Sequence, residues 1–173
     1  MGLTERAVED LQTNLGDAVV AIEVFRADTT VEIASAGLLA AARRLRQSID
    51  PPFDLLAGLT ASDSYPEDPR FSLIYVFYST GGNAFVRLRA RLPGKAPEIE
   101  SLEPVYPAAN WHEREVFDLF GITFRGHSDL RRILLPHDWV GHPLRKDHPL
   151  GYEEVQFSFN FDEIDRRKPY AQE

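Results

Sequence analysis

The sequence contains no cysteine and no apolar run approaching the ~18–20 residues needed to cross a bilayer. Without cysteine there are no disulfides, no thiolate nucleophile, no iron–sulfur ligation and none of the common structural zinc sites. The absence also fits a reducing compartment. Positive charge is short as well: 19 Lys and Arg stand against 27 Asp and Glu, a net charge of −8. A polyphosphate partner normally needs a basic face, so nucleic acid is not expected. The first residues, MGLTERAVEDLQ, have neither the apolar core of a signal peptide nor the Arg-rich, acid-poor character of a transit peptide. Arg6 stands where a myristoylation start needs Ser or Thr. The expectation is a soluble chain that meets a membrane through partners alone. Neither a phosphate-cradling glycine loop nor a GxSxG nucleophile context is present.

What the chain does hold is enough for a core. Its 173 residues suit one domain of ordinary size, with 43% hydrophobic residues and eleven Phe. Thr4 can cap a helix carrying Ala7, Val8, Leu11 and Leu15, with Gly16 as its stop. Residues 18–26 and 29–34 read as strands joined by a turn at Ala27-Asp28. A helix from Ser35 to the Pro51-Pro52 pair follows. Its Arg43, Arg44 and Arg46 fit a solvated C-terminal end, favoured by the helix dipole, better than a phosphate site. Three further strands are expected at 53–61, 71–79 and 84–92, the last two joined through Thr80-Gly81-Gly82-Asn83. Along 84–92, Phe85, Arg87, Arg89 and Arg91 share one face, read as solvated sheet, opposite Val86, Leu88, Ala90 and Leu92. The expected fold is therefore α+β: a mostly antiparallel or mixed sheet with two helices on one face, then a long irregular C-terminal extension. The pattern divides the chain into an α+β domain at 1–92, a Pro-rich linker at 93–109, and a capped helix with an extended strap at 110–173.

The segment 110–151 is electrically neutral and holds all five histidines. Asn110 and Glu113 have capping-box spacing, Gly121 supplies a left-handed stop, and Arg114 can pair locally with Asp118. Glu113 and Glu115 lie ~200° apart around a helix of 3.6 residues per turn, which rules them out as an acid–base pair on one face. His112, His127, His137, His142 and His148 lack the tight ligand pairs of a zinc motif, so structural or interface roles are expected. Beyond Gly121 the frequent Gly and Pro leave no regular element except a short strand over Leu130–Leu135. Yet Phe124, Ile133, Leu134, Leu135, Trp139 and Leu144 are large and apolar. An extended strap lying on another surface satisfies both facts, because burial must offset the ordering entropy of an irregular chain. The pairs Arg131-Arg132 and Arg145-Lys146 are expected to meet carboxylates of this chain or of a partner.

Three strings in this region resemble a known signature: Asn110-Trp111 with Glu113 to Ile122, then Gly126-His127 with Asp129 to Leu134, then Gly141 to Asp147 with Pro149. They resemble the 30-kDa subunit family of respiratory complex I, whose bacterial members are the C-type subunits of NADH-quinone oxidoreductase. Two positions depart from its usual pattern, Ser128 where Pro is common and His148 where Tyr is common. The resemblance implies a non-catalytic scaffold subunit of the peripheral arm of an enzyme that passes electrons from NADH to a quinone and translocates ions. It implies no catalytic, cofactor-binding or metal-binding residues here, with flavin and iron–sulfur clusters in companion subunits. It further implies docking on the 49-kDa-type (D-type) subunit and other peripheral-arm subunits, on the cytoplasmic side of the cell membrane. The end of the chain soon after the motif suggests the stand-alone subunit rather than a fusion with that neighbour. The residues expected at the partner interface are Trp111, Glu113, Arg114, Glu115, Asp118, Arg131, Arg132, Trp139, Arg145, Lys146 and Asp147. The alternatives are an equivalent subunit of a complex using ferredoxin, a deazaflavin or hydrogenase chemistry, an independent metal-dependent enzyme, or a generic anion-binding module.

Overall fold

The computed structural model describes residues 2–26 and 28–149. The expected turn residue Ala27 and the part of the strap from 150 onward lie outside the described residues. The fold is α+β, as expected, with a five-stranded mixed sheet. Helix α1 (Leu3–Leu15) is followed by β1 (Val19–Phe25), β2 (Asp28–Ile33), α2 (Leu38–Gln47), β3 (Leu55–Asp63), β4 (Phe71–Ser79) and β5 (Ala84–Leu92). Then come β6 (Glu98–Glu100), α3 (Ala109–Phe120) and β7 (Thr123–Arg125). The sheet order is β1-β2-β5-β4-β3, antiparallel except where β5 slots in parallel to β2. A separate parallel pair joins β6 to β7.

Period-two alternation decides which side of the sheet is covered. Phe71, Leu73, Tyr75 and Phe77 of β4 and Val86, Leu88, Ala90 and Leu92 of β5 are buried under the helices. The opposite face carries the arginines of β5, and each finds a carboxylate on a neighbouring strand. Arg87 pairs with Asp28 at 2.9 Å, Arg89 with Glu23 at 2.6 Å and Glu32 at 2.7 Å, and Arg91 with Glu32 at 3.0 Å. These cross-strand pairs leave that face charged but balanced. On the covered side, Arg44 of α2 binds Asp10 of α1 at 2.6 Å. Arg46 donates to the Val105 carbonyl and lies over the Tyr106 ring at 5.1 Å. Arg44 and Arg46 thus knit elements together, while Arg43 faces solvent.

Several local expectations change. Thr4 does not cap α1; Gly2 holds that position, and the Thr4 hydroxyl donates to the Phe85 carbonyl at 2.9 Å. Gly16 keeps right-handed dihedrals and leads into a short 3-10 turn. The segment 93–109 is not a linker that ends the core. Ile99, Leu102, Val105, Tyr106 and Ala109 are buried in the same apolar cluster as the sheet. The Tyr106 hydroxyl donates to the Phe53 carbonyl at 2.7 Å, and its ring lies 5.1 Å from that of Phe77. Proline punctuation here shapes a route across the helical face, because apolar side chains at every turn of that route can be buried.

Candidate docking site on the C-terminal strap

Helix α3 organises the last third of the described chain. Its buried stripe is Ala109, Glu113, Val116 and Phe120, at helical spacing, and the helix packs against β3. Gly121 then turns left-handed at φ 68°, and its N–H closes the helix on the Phe117 carbonyl at 2.8 Å. The expected capping box at Asn110 does not form. The N-cap is Ala108, two residues earlier, and the Asn110 amide donates to Glu103 at 3.0 Å and to Ser128 at 3.2 Å. Glu113 is wholly buried; the Ser101 hydroxyl donates to it at 2.6 Å and the Leu102 N–H at 2.7 Å. Burial outweighs both hydrogen bonds and pushes its pKa up to about 7.

Asp118, on another side of α3, holds the strap. Its buried carboxylate accepts the backbone N–H groups of Ile133, Leu134 and Leu135 at 3.0, 2.8 and 2.9 Å. Arg132 adds an ion pair at 2.6 Å. Burial acts to raise this carboxyl, but those four donors prevail and lower its pKa. The three successive amides form an anion-holding nest, which is why no strand exists over Leu130–Leu135. The local Arg114–Asp118 pair is likewise replaced. Arg114 donates to the carbonyls of Arg131 and Arg132 at 3.0 and 3.1 Å. Arg132 extends further, to the Trp139 and Gly141 carbonyls, both at 2.9 Å. His142 meets the Asp118 carbonyl at 2.9 Å, so Nδ1 carries the proton, and burial lowers its pKa. Arg145 caps the C-terminus of α3 by donating to the carbonyls of Phe120 at 2.6 Å and Gly121 at 3.3 Å.

A second anchor ties the strap to the sheet. Asp63 at the end of β3 and Arg70 before β4 pair at 2.7 Å, and Arg70 also holds Asp147 at 2.6 Å. The Lys146 N–H donates to Asp63 at 2.8 Å. The Arg70 guanidinium and the backbone donors keep the Asp63 carboxyl below the usual carboxylate range. Asp63 and Arg70 escaped the sequence reading. They lie about eighty residues from the strap, and no local spacing points to them. Ser128, where the resemblance departs from its usual pattern, donates to Glu103 through both N–H (2.8 Å) and hydroxyl (2.7 Å). Proline there would have no N–H to give.

The expected interface residues thus divide. Asp118, Arg132, Arg145 and Asp147 are joined in these internal networks, Glu113 is buried among core residues, and Trp139 is half-buried. Trp111, Glu115, Arg131 and the Lys146 side chain remain outward, and Arg114 is half-buried. With them an apolar rim stays open: Trp111 is 61% exposed, Leu134 61%, Val140 85% and Leu144 51%. Among the described residues no group of His, Asp and Glu is arranged to hold a metal. His127 is engaged internally: one ring nitrogen faces the Asn110 carbonyl at 3.0 Å and the other accepts from the Asp129 N–H at 3.0 Å. Glu113 and Glu115 form no acid–base pair either, since the first is buried and the second faces out. The arrangement is built to hold a shaped surface.

The respiratory-chain NADH dehydrogenase 30 Kd subunit family matches residues 31–154, which spans most of the sheet, α3 and the strap. The chain belongs to this family. Within it, the C-type subunit of NADH-quinone oxidoreductase from Roseiflexus sp. (strain RS-1) is 42% identical over 166 residues, covering 96% of this chain and 95% of that protein. Among solved structures, a trypsin-resistant fragment of Nqo5 superposes with a TM-score of 0.60 at 25% identity, over 74% of this chain and 99% of the fragment. A chain of the membrane-bound sulfane sulfur reductase, an archaeal respiratory membrane complex, shares the fold at 20% identity and a TM-score of 0.70, over 96% of this chain and 98% of that one. In this 30 Kd family member the strap is anchored through Asp118 and Arg70, and large apolar side chains on it stay exposed.

Proposed function

We propose that this chain is a structural subunit of the peripheral arm of an NADH:quinone oxidoreductase, and that it holds companion subunits in place without performing chemistry itself. The observation that carries the reading is the 42% identity to the C-type subunit of NADH-quinone oxidoreductase along nearly the whole of both chains. The physical form of the molecule agrees with it. Trp111 of α3 and Leu134, Val140 and Leu144 of the strap are exposed apolar side chains, and the strap is fixed from behind by buried ion pairs. Such a surface is preorganised, so docking does not have to order it again. The partner assigned to the rim is the 49-kDa-type subunit, on the cytoplasmic side of the membrane. No helix among the described residues is long and apolar enough to cross a membrane; the proposed attachment runs through the companions. The electrons pass through flavin and iron–sulfur groups that those companions hold.

Affinity purification of the tagged native chain, with mass spectrometry of what comes with it, tests this reading. It predicts recovery of the 49-kDa-type and other peripheral-arm subunits together with NADH:quinone oxidoreductase activity. Deleting the chain is expected to remove that activity from membranes. A chain recovered alone, or membranes that retain full activity without it, contradicts the reading.

A further inference from the structure

Arg114, Arg131, Arg132, Leu135 and His137 line a recess of about 380 Å³ between α3 and the strap. Among the described residues no carboxylate lines it. Arg132 is neutralised from behind by Asp118 at 2.6 Å, and Arg131 reaches Asp129 at 2.6 Å while its side chain stays 74% exposed. Arg114 forms no ion pair among the described residues. Two carbonyls orient its guanidinium, which lies 5.5 Å from the centre of the exposed Trp111 ring. Three guanidinium groups therefore meet two carboxylates, and the surplus positive charge faces the recess. This occurs in a chain whose net charge is −8. Trp111 and Leu134 stand exposed beside it.

We infer that this recess receives an aspartate or glutamate side chain of a companion subunit, with an apolar neighbour of that residue packed on Trp111 and Leu134. The inference rests on the docking reading above and names the chemistry of the contact. Charge complementarity selects the occupant: a guanidinium held by carbonyls keeps donors free for a carboxylate, and the fork geometry of arginine suits one. Arg131 is the residue to vary, because the fold uses it least: its ion pair with Asp129 is exposed and local.

The native complex carrying R131K would be treated with a carbodiimide, which couples an amine to a carboxylate in direct contact. The expected result is a link from position 131 to an Asp or Glu of a companion subunit. In parallel, R131E should weaken binding of the folded chain to its companions by about tenfold, with the difference shrinking as salt is raised. Links confined to carboxylates of this chain, including those of residues 150–173, overturn the assignment. So do an absence of links in an assembled complex and unchanged binding of R131E. Those outcomes leave the docking reading standing, whereas a chain that recovers no companion at all removes both.

Discussion

Glu113 and Asp118 sit five residues apart on one helix and illustrate how surroundings set the cost of a buried carboxylate. Asp118 accepts four donors, one of them a guanidinium, and is held ionised. Removing it strands Arg132 and three amides, so Asp118→Ala should cost about 3 kcal/mol of stability, read from urea unfolding midpoints. Glu113 accepts two neutral donors, and burial pushes its pKa up to about 7 from 4.5. The folded carboxyl then binds its proton more tightly than the unfolded one. The resulting stabilisation is fully present below pH 4.5, is lost as pH rises through about 7, and is level above that. The loss should be on the order of 2–3 kcal/mol for the isolated chain, and Glu113→Gln should flatten the profile. Denaturant titrations at about pH 5 and about pH 8, on either side of the folded value, decide the point for both proteins. Equal pH dependence in the two would contradict it. The Tyr75 hydroxyl is buried with no hydrogen-bond partner among the described residues. Tyr75→Phe should therefore leave stability unchanged or raise it by up to about 1 kcal/mol, again read from unfolding midpoints.

Among the elements, the join between α3 and the strap fixes how the strap lies. Gly121 permits the left-handed turn, and its bare Cα lets the strap close over it. A Cβ there would overlap the His142 ring and come within 2.7 Å of Arg145. Gly121→Ala should cost about 1–2 kcal/mol in backbone strain alone and should loosen the strap further by displacing both caps. Faster amide exchange at Ile133, Leu134 and Leu135, with β4 unchanged, is the expected signature. Gly121 was readable from sequence because a helix stop is a local matter. The capping box at Asn110 was misread for the same reason. Glu113 fits a local motif, yet it also lies four residues after Ala109 and three before Val116, which is the spacing of a buried stripe. Its true partners, Ser101 and Leu102, arrive by tertiary packing. The strand expected over Leu130–Leu135 failed because apolar spacing carries no trace of a carboxylate waiting on another element.

At the scale of the whole molecule, alternation along β4 and β5 revealed the sheet and its covered face, since burial on one side imposes period two. The parallel insertion of β5 beside β2 was not legible, because pairing order depends on which edges remain free after the helices pack. The prolines of 93–109 suggest a linker, yet Leu102, Val105 and Tyr106 between them are buried in the common core. The strap was legible as a surface in need of cover. Its own anchoring was not, because Asp63 and Arg70 come from distant sequence. Large apolar side chains stay uncovered in two regions, the rim of Trp111, Leu134, Val140 and Leu144 and, on the sheet, Val20, Val24, Phe25 and Phe85.

The apolar rim around the strap is where docking on a companion is tested. Leu134→Glu combined with Val140→Glu changes two exposed side chains and leaves the networks of Asp118 and Arg70 intact. Co-purification of this variant with the 49-kDa-type subunit should be measured beside its thermal unfolding. The expected outcome is an unfolding temperature close to that of the unaltered chain and a loss of at least about tenfold in recovered partner, because charge then enters an apolar interface. Full recovery of the partner by a folded variant would contradict it.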